Sequence, residues 1–340
     1  MTPMQATRRS SRHLILPLPG NEAFAHRLAN ECDWDFGSLE TRNFPDGESY
    51  LRILSDVVDK AVTLVCTLAR PDEGFLRLIF AADAARSLGA SEVTLIAPYL
   101  AYMRQDRRFR AGEAVTSLTF ARLISKSFDR LITVDPHLHR YPALSALYSI
   151  PTATLHAAPL LADWIAAEVA APLLIGPDEE SEQWVSAIAT RVGAPHAVLQ
   201  KVRHGDRDVE IELPDLSMWR DRQPVLVDDI AASGHTLIEA ARKLRMQGLA
   251  APDVAVVHGI FAGDSYEQLV PLCRRIVSTD SVTHPSNRVG LTPLIATHIA
   301  VAASNDDLAR HRRPPEPVDD VERAGIDSFP ASDPPPWGRG

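Results

Sequence analysis

Short apolar runs alternate with amphipathic stretches along most of this chain, and the alternation occurs in two successive series. Each apolar run has the length of a buried strand, and each amphipathic stretch has the periodicity of a helix. Strands that alternate with helices form mainly parallel sheets with helices on both faces, so the pattern predicts an α/β fold with two similar units. The predicted strands are residues 13–18, 62–67, 93–97 and 131–134 in the first series and 173–175, 197–199, 225–227 and 254–257 in the second.

Helices are predicted beside these strands, over residues 74–88, 116–128, 180–192 and 236–247. Leu118, Ala121 and Ile124 share one face of the second of these helices, which predicts that this face is buried. Thr116 is expected to cap the start of that helix, and Gly248 is expected to end the last one.

The composition excludes several classes of protein. A length of 340 residues and an apolar content of 45% suffice for two ordinary domains with buried cores. The formal net charge of -9 argues against broad binding to nucleic acid or to membrane surfaces. No apolar run has the length of a membrane span, and the first residues lack the apolar segment of a secretory signal. Cys32, Cys66 and Cys273 are far apart, so we expect reduced thiols in a cytoplasmic protein.

The two ends of the chain lack the alternating pattern. From Asn305 onwards the chain is rich in Asp, Arg and Pro, a composition that cannot form a packed core, which predicts a disordered tail over residues 305–340. Residues 1–12 are expected to be flexible, and a boundary between the two series is predicted near residues 150–158.

The segment VLVDDIAASGHTL, residues 225–237, carries the strongest chemical signal. A buried strand runs into two adjacent acids, Asp228 and Asp229, followed by small residues and a helix predicted to begin at Thr236. In open α/β sheets ligands bind at the carboxyl ends of strands, and the free N–H groups of a helix N-terminus bind phosphate. The two carboxylates suit the hydroxyls of a sugar. Without further motifs, the segment is also compatible with an ordinary strand–turn–helix connection.

This segment resembles the loop with which type I phosphoribosyltransferases and phosphoribosyl pyrophosphate (PRPP) synthetases bind PRPP. The resemblance implies that Asp228 and Asp229 bind the ribose hydroxyls. It also implies that the 5-phosphate lies against Ala232, Ser233, Gly234, His235 and Thr236. Ser233 stands where the family often has threonine, and it keeps a hydroxyl donor. His235 stands where the family has a small residue, and nothing in the sequence explains this departure.

Two further segments resemble the ATP-binding motifs of PRPP synthetases. The first is YLAYMRQDRRFRAGE, residues 99–113, whose likeness to the RQDR segment implies ATP binding by Arg104, Gln105, Asp106 and Arg107. The planar guanidinium of arginine suits both phosphate oxygens and an adenine ring. The second is NFPDGES, residues 43–49, whose likeness to the FxDGE loop implies that Phe44, Asp46 and Glu48 bind the adenine of a neighbouring subunit. Taken alone, these segments are a solvated charged loop and a turn.

Two other motifs point to a metal–nucleotide. TVDPHLHRY, residues 133–141, resembles the family's VDxH motif, which implies that His137 helps to hold the metal–nucleotide, with His139 as the weaker candidate. A histidine pair of this kind is also compatible with a different metal site or a polar loop. GPDEES, residues 176–181, resembles the family's SPD segment, which implies that Asp178 contacts ribose 5-phosphate or a metal. The family version continues with glycines, whereas this chain has Glu179, Glu180 and Ser181.

The segment VLQKVRHGDRD, residues 198–208, contains two cations that are two positions apart. It resembles the KxR of the family's flexible catalytic loop. The resemblance implies that Lys201 and Arg203 close over the triphosphate and neutralise charge in the transition state. An exposed Lys/Arg pair is ordinary by itself, and its position between the GPDEES and PRPP-loop motifs favours the catalytic interpretation.

The order of the motifs resembles the PRPP synthetase family over about residues 13–303. The resemblance implies two similar phosphoribosyltransferase-type domains, each a mainly parallel sheet flanked by helices. The first covers residues 13–155 with the ATP motifs, and the second covers residues 156–304 with the PRPP loop and ribose 5-phosphate site. The implied reaction is the Mg²⁺-dependent transfer of the pyrophosphoryl group of ATP to the C1 hydroxyl of ribose 5-phosphate, giving PRPP and AMP for nucleotide biosynthesis. The family also implies a homo-oligomer built from dimers, up to a hexamer, with a shared ATP site.

Two alternative functions stay open at the level of sequence. A phosphoribosyltransferase would account for the PRPP loop, but it would leave the RQDR and FPDGE segments without a role. A regulatory homologue would keep the fold and lose catalytic residues. The departures in GPDEES and SGHT favour it, whereas the presence of Lys201, Arg203, Asp228 and Asp229 argues against it.

Overall fold

A computed structural model of the chain describes residues 12–108, 110–138, 140–178, 181–203 and 209–312, with the backbone alone for Gln183 and for residues 201–203, 209–212 and 305–312. One compact unit extends to Thr297, and a second unit begins at His298. Of the N-terminus predicted to be flexible, only Arg12 lies within the described residues. Among the helices in the described part of the chain, none is both long enough and apolar enough to cross a membrane.

The first half of the chain forms a parallel sheet of six strands and an antiparallel hairpin, β3–β4. The strand order in the sheet is β2-β1-β5-β6-β7-β8, and every pairing in it is parallel. In chain order the elements are β1 (His13–Pro17), α1 (Glu22–Cys32), β2 (Asp35–Phe36), β3 (Leu39–Asn43), β4 (Ser49–Ile53), β5 (Ala61–Val65), α2 (Pro71–Ser87), β6 (Glu92–Ala97), α3 (Thr116–Ser127), β7 (Arg130–Val134) and β8 (Thr152–Leu155).

The second half repeats this plan with another six-stranded parallel sheet and a second antiparallel hairpin, β11–β12. The order in this sheet is β10-β9-β13-β14-β15-β16, again with parallel pairings throughout. The elements are α4 (Ala158–Glu168), β9 (Pro172–Gly176), α5 (Glu182–Val192), β10 (His196–Val198), β11 (Gln200–Arg203), β12 (Val209–Glu212), β13 (Gln223–Ala231), α6 (His235–Met246), β14 (Asp253–Gly259), α7 (Ser265–Leu269), β15 (Arg275–Thr279), β16 (Asn287–Val289) and α8 (Thr292–Arg312).

The structure confirms the strands and helices predicted from the alternating pattern, because each one corresponds to an element of the two sheets or of their flanking helices. The central strands are buried on both faces; in β14 the burial includes Val254, Ala255, Val256 and Val257. Continuous burial explains why these strands appear in the sequence as unbroken apolar runs. The three cysteines carry no disulfide, in agreement with the prediction of reduced thiols.

Two details predicted for α3 are wrong. Leu118 is 42% exposed, and the buried stripe consists of Ser117, Phe120, Ala121 and Ile124. This stripe has the spacing i, i+3, i+4, i+7, and a small serine at its first position lets the helix approach the sheet closely. Thr116 is the first helical residue rather than the cap; Val115 occupies the cap position, and no side-chain hydrogen bond closes this helix end.

The C-terminal end of α6 agrees with the prediction. Gly248 has φ +82°, follows Gln247, the C-cap of α6, and donates its N–H to the carbonyl of Arg245 at 3.0 Å. This is the left-handed conformation that glycine supplies at helix ends, so the prediction for Gly248 is confirmed.

The prediction of disorder from Asn305 is wrong for residues 305–312, because these residues continue α8 to Arg312. Residues 305–312 contain neither proline nor glycine, so the helix can continue to the segment where the prolines begin. Residues 313–340 lie outside the described residues. The domain limits at residues 155 and 304 stay predictions.

Side chains connect the surroundings of the two sheets. Arg27 on α1 places its Nη2 atom 2.7 Å from Asp280 Oδ2, and Thr292 donates to Glu31 Oε1 at 2.7 Å. These contacts join residues separated by more than 250 positions in the sequence. They help to hold the two halves together around a cavity lined by residues from both.

Candidate active site

A cavity of about 600 Å³ lies at the carboxyl ends of strands from both sheets. This is the edge at which parallel α/β sheets bind ligands. The first half contributes Arg104 and His137, and the second half contributes Asp178, Asp228 and Asp229. The five residues predicted to hold the 5-phosphate, Ala232 to Thr236, also line this cavity. The structure therefore brings together ten of the residues that the sequence predicted to form the site.

The loop between β13 and α6 has the geometry of an anion site. Strand β13 extends to Ala231, so both acids belong to its last residues, and α6 begins at His235. Gly234 caps the helix with φ +65°, a left-handed conformation that side chains disfavour. Behind the loop, the N–H groups of Phe261 and Ala262 donate to the carbonyls of Ala231 and Ala232 at 2.8 and 2.7 Å. These bonds hold the loop, whose helix N-terminus suits a phosphate.

The pKa values of the two acids of β13 are shifted in opposite directions. Burial raises the pKa of Asp228 well above its ordinary value, and the nearby Asp229 and Asp178 carboxylates raise it further. Burial also acts to raise the pKa of Asp229, but the hydrogen bond from His137, together with the electrostatic effects of His137 and His258, outweighs it and lowers the pKa. Asp229 is thus the more readily ionised member of the pair. Its Oδ2 atom lies 2.6 Å from His137 Nδ1.

The contact between His137 and Asp229 joins the loop after β7 to the end of β13. Because an ionised carboxylate accepts hydrogen bonds, Nδ1 of His137 is the donor in this pair. The bond fixes the orientation of the imidazole at the cavity wall. His139, the weaker histidine candidate of the same motif, lies outside the described residues.

A buried acid and a second histidine at the site were missed by the sequence motifs. Asp135 has φ +35° and is 7% exposed; its Oδ1 atom lies 2.8 Å from His156 Nδ1, and its Oδ2 accepts from the N–H of Ala157 at 2.8 Å. The hydrogen bond between Asp135 and His156 is the main cause of the raised pKa of His156. Asp135 belongs to the TVDPH motif and could have been found there. His156 carries no motif, and only the fold brings it to the cavity.

Only part of the predicted ATP segment lies at the cavity. Arg104 lines the cavity. Asp106 is buried, at 7% exposure, and its Oδ2 atom lies 3.2 Å from Arg140 Nε. Gln105 is half-buried and its carbonyl accepts from the N–H of Ser117, and Arg107 is exposed. Of these four residues, Arg104 is the one that the structure brings to the cavity wall.

The adenine-binding residues predicted on NFPDGES lie in the turn of the β3–β4 hairpin, away from the cavity wall of the same chain. Phe44 is 38% exposed, and Asp46 and Glu48 are exposed as well. The turn is ordered by a bond from the N–H of Phe44 to the carbonyl of Glu48 at 2.8 Å. The guanidinium of Arg42 lies 4.7 Å from the Phe44 ring centroid and fixes one face of that ring. The hairpin thus presents an oriented aromatic ring at the surface.

The two predicted catalytic cations lie on the β11–β12 hairpin. Lys201 is paired with Ile211 and Arg203 with Val209, while residues 204–208 and the side chains of both cations lie outside the described part of the chain.

The donor set of the cavity fits a magnesium ion. Asp178, Asp228 and Asp229 all line the cavity, and Asp229 and Asp178 add to the effect of burial in raising the pKa of Asp228. In the described residues, no group of three or more His, Cys, Asp or Glu side chains has the geometry of a metal cage. Magnesium is normally held by one or two carboxylates together with substrate phosphates and water, so it does not require such a cage.

The GPDEES segment keeps its aspartate in place through a local turn. Ser181 donates its N–H to Asp178 Oδ1 at 3.2 Å and its hydroxyl to the Asp178 carbonyl at 2.5 Å. Ser181, which replaces a family glycine, thus forms the bonds that order the turn. Glu179 and Glu180 lie outside the described residues.

Comparisons with known proteins identify the family of the chain. Residues 13–127 match the family description "N-terminal domain of ribose phosphate pyrophosphokinase", and residues 144–287 match "Phosphoribosyl transferase domain". A ribose-phosphate pyrophosphokinase of Methanopyrus kandleri is 34% identical over 287 residues, covering 83% of this chain and 97% of that protein. One from Methanosarcina mazei is 32% identical over 288 residues, covering 83% of this chain and 93% of that protein.

The fold has a counterpart among solved structures. The phosphoribosylpyrophosphate synthetase from Mycobacterium smegmatis matches with a TM-score of 0.75 at 21% identity, over 86% of this chain and 99% of that one. Both chains thus share a fold with two phosphoribosyltransferase-type domains of mainly parallel sheets flanked by helices. Because the identity to full-length relatives and both domain matches agree, this chain belongs to the ribose-phosphate pyrophosphokinase family.

Proposed function

We propose that this protein is an active ribose-phosphate pyrophosphokinase, which transfers the β,γ-pyrophosphoryl group of ATP to the C1 hydroxyl of ribose 5-phosphate. The supporting observation is the cavity in which a phosphate loop and an acidic pair from one half face Arg104 and His137 from the other. A phosphoribosyltransferase would need only the second half of this arrangement. The retained acids argue against a regulatory homologue that has lost its site. The proposed substrates locate the activity in the cytoplasm, where it supplies nucleotide biosynthesis.

In the proposed mechanism the protein aligns two substrates and neutralises charge, which is most of what phosphoryl-type transfer requires. The N–H groups at the start of α6 hold the 5-phosphate, and Asp228 and Asp229 accept hydrogen bonds from the ribose hydroxyls. This orients the C1 hydroxyl for attack on the β-phosphorus of ATP, with AMP as the leaving group. Arg104, at the cavity wall, holds the nucleotide together with Gln105, Asp106 and Arg107.

Magnesium, the proposed cofactor, would lie near Asp178 and His137 and would supply positive charge against the phosphate oxygens. His137 is kept in position for this role by its bond to Asp229. Lys201 and Arg203 approach with their hairpin and stabilise the transition state.

The direct test of the proposed function is a product assay. Purified protein is incubated with ribose 5-phosphate, ATP and Mg²⁺, and AMP and PRPP are measured together. Equal formation of both products supports the proposal. Folded protein that binds nucleotide and forms neither product contradicts it and favours the regulatory alternative.

The left-handed Gly234 gives a prediction with a matched control on the same helix. Gly234→Ala should raise the KM for ribose 5-phosphate by about tenfold or more, because the added Cβ would lie 3.1 Å from Ser265 Cβ and displace the phosphate loop. Gly248→Ala introduces similar backbone strain at the other end of α6, where a Cβ meets no atom within 4 Å. The measurement is KM together with thermal unfolding. An equal rise in KM for both variants would mean that strain alone is responsible.

We further propose that the protein is a homo-oligomer, built from dimers, in which Phe44 of one subunit stacks on the adenine bound by another. Phe44→Ala should raise the KM for ATP by about 5- to 150-fold, because a base–aromatic stack is worth that much. Phe36→Ala removes another exposed ring of the same half, 42% accessible, and serves as the control.

Co-expression of Phe44→Ala with Asp229→Asn should restore part of the activity, since mixed oligomers contain intact shared sites. No gain over the separate variants would contradict sharing.

A further inference from the structure

His258 is a fully buried histidine at the end of β14 that none of the sequence motifs includes. Its ring lies between the two halves, where it contacts residues from both sheets. The Nε2 atom lies 3.2 Å from the carbonyl oxygen of Asp135, in the loop after β7. The Nδ1 atom lies 2.9 Å from Ser281 Oγ, in the loop after β15. His258 thus connects the two halves directly behind the cavity.

The partners of the ring define its protonation. A carbonyl oxygen can only accept a hydrogen bond, so Nε2 carries a proton. Burial lowers the pKa of His258, and this outweighs the neighbouring acceptors and charges, which favours the neutral form of the ring. With one proton on Nε2, the Nδ1 atom accepts from the hydroxyl of Ser281. The edge-to-face contact with Tyr99, at 5.0 Å between centroids, keeps the ring plane fixed.

Asp135 is a residue that needs to be held in place. Its φ of +35° is unusual for a residue with a side chain, and such conformations persist only when surrounding contacts determine them. Its N–H donates to the carbonyl of Leu155 at 2.9 Å, and its carboxylate contacts His156 and Ala157. These partners all belong to the segment that follows β7 in the chain. The bond from His258 ties Asp135 to β14 of the second sheet.

Two residues after Asp135, His137 meets Asp229 at the cavity wall. The loop is therefore joined to the second sheet twice, by His258 at its start and by the His137–Asp229 pair within the site. Ser281, the other partner of His258, accepts at its own carbonyl from Thr67 Oγ1, which belongs to the first half. The ring lies at the centre of a polar connection between Thr67, Ser281 and Asp135.

We propose that His258 is a positioning residue for the pyrophosphoryl transfer. Its hydrogen bond to the Asp135 carbonyl holds the loop after β7 at the distance at which His137 reaches Asp229. The kinetic part of this inference rests on the proposed function, whereas the structural part does not.

Two substitutions separate the two bonds of the ring. The variant His258→Gln would place an amide donor near the position of Nε2 and keep the bond to Asp135, so it preserves the positioning contact. His258→Asn places its amide near the position of Nδ1, keeping the contact with Ser281 and losing Asp135. Both variants replace a fully buried imidazole by a smaller amide, so both should lower the melting temperature. We expect kcat to fall about 10- to 100-fold in His258→Asn and at most about threefold in His258→Gln.

A readout that does not involve turnover is hydrogen–deuterium exchange of the ligand-free protein over residues 134–142. Exchange should be faster in His258→Asn than in His258→Gln, because only the asparagine releases the loop. Equal exchange, or an equal loss of kcat in the two variants, would overturn the positioning role. If the unaltered protein forms no PRPP, the proposed function fails, and the exchange comparison alone decides whether His258 positions the loop. Ser281→Ala, which keeps the bond to Asp135, should resemble His258→Gln in both measurements.

Discussion

Asp229→Asn is expected to lower kcat for PRPP formation by about 10²- to 10³-fold, while the protein stays folded. Asparagine has the shape of aspartate but not its charge, so the cavity keeps its form. The 2.6 Å contact with His137 Nδ1 then loses the ionised acceptor that orients the imidazole. In the proposed mechanism the ribose hydroxyls also lose a carboxylate acceptor. The effect exceeds that expected for a single neutral hydrogen bond because one side chain serves several partners.

The measurement for this variant is steady-state kinetics with both substrates, accompanied by thermal unfolding. Asp163→Asn is the control, because Asp163 is an exposed aspartate paired with Arg191 at 2.8 Å on the surface. Surface pairs of this kind contribute little, so the control should retain its activity. A kcat for Asp229→Asn within about threefold of the unaltered protein would remove Asp229 from the proposed mechanism.

The second large effect is expected for Lys201→Ala, which should lower turnover by about 10²- to 10³-fold and leave nucleotide binding nearly unchanged. A charge that acts only in the transition state affects kcat without affecting ground-state affinity. The hairpin that carries Lys201 pairs β11 with β12 and belongs to neither six-stranded sheet. A two-stranded hairpin is weakly stabilised by itself, which suits an element that changes position when substrates bind.

Lys126→Ala is the control for Lys201→Ala, because Lys126 is an exposed lysine in the last turn of α3. Nucleotide affinity is measured by calorimetry and turnover by AMP release. Near-normal turnover in Lys201→Ala refutes the catalytic role. A parallel loss of affinity and turnover would instead assign the lysine to ground-state binding of ATP.

The parallel sheets and the phosphate loop were predictable from the sequence because their signals are local. Central strands buried on both faces are uniform apolar runs, and the loop of Asp228 to Thr236 combines its acids, small residues and helix start within nine consecutive positions. The structure confirms that this loop lies at a cavity and that Arg104, His137 and Asp178 lie there too. Their proposed roles stay predictions.

What the sequence could not supply depends on contacts between distant residues. The pair His137–Asp229 joins positions 92 apart, and the bond from His258 to Asp135 joins positions 123 apart. The hydrophobic periodicity of a sequence does not indicate such contacts. Leu118 was predicted on the buried face of α3, whereas it is exposed and Ser117 is fully buried. Small residues can occupy either environment, so a single-residue pattern does not assign them.

The most direct test of pyrophosphoryl transfer uses ATP labelled at the β-phosphorus, together with ribose 5-phosphate and Mg²⁺. Attack at the β-phosphorus moves the label into PRPP and leaves AMP unlabelled. We therefore expect labelled PRPP in a 1:1 ratio to the AMP released. Label recovered in ADP would mean that only the γ-phosphoryl group is transferred. That result would contradict the proposed chemistry even if ribose 5-phosphate is consumed.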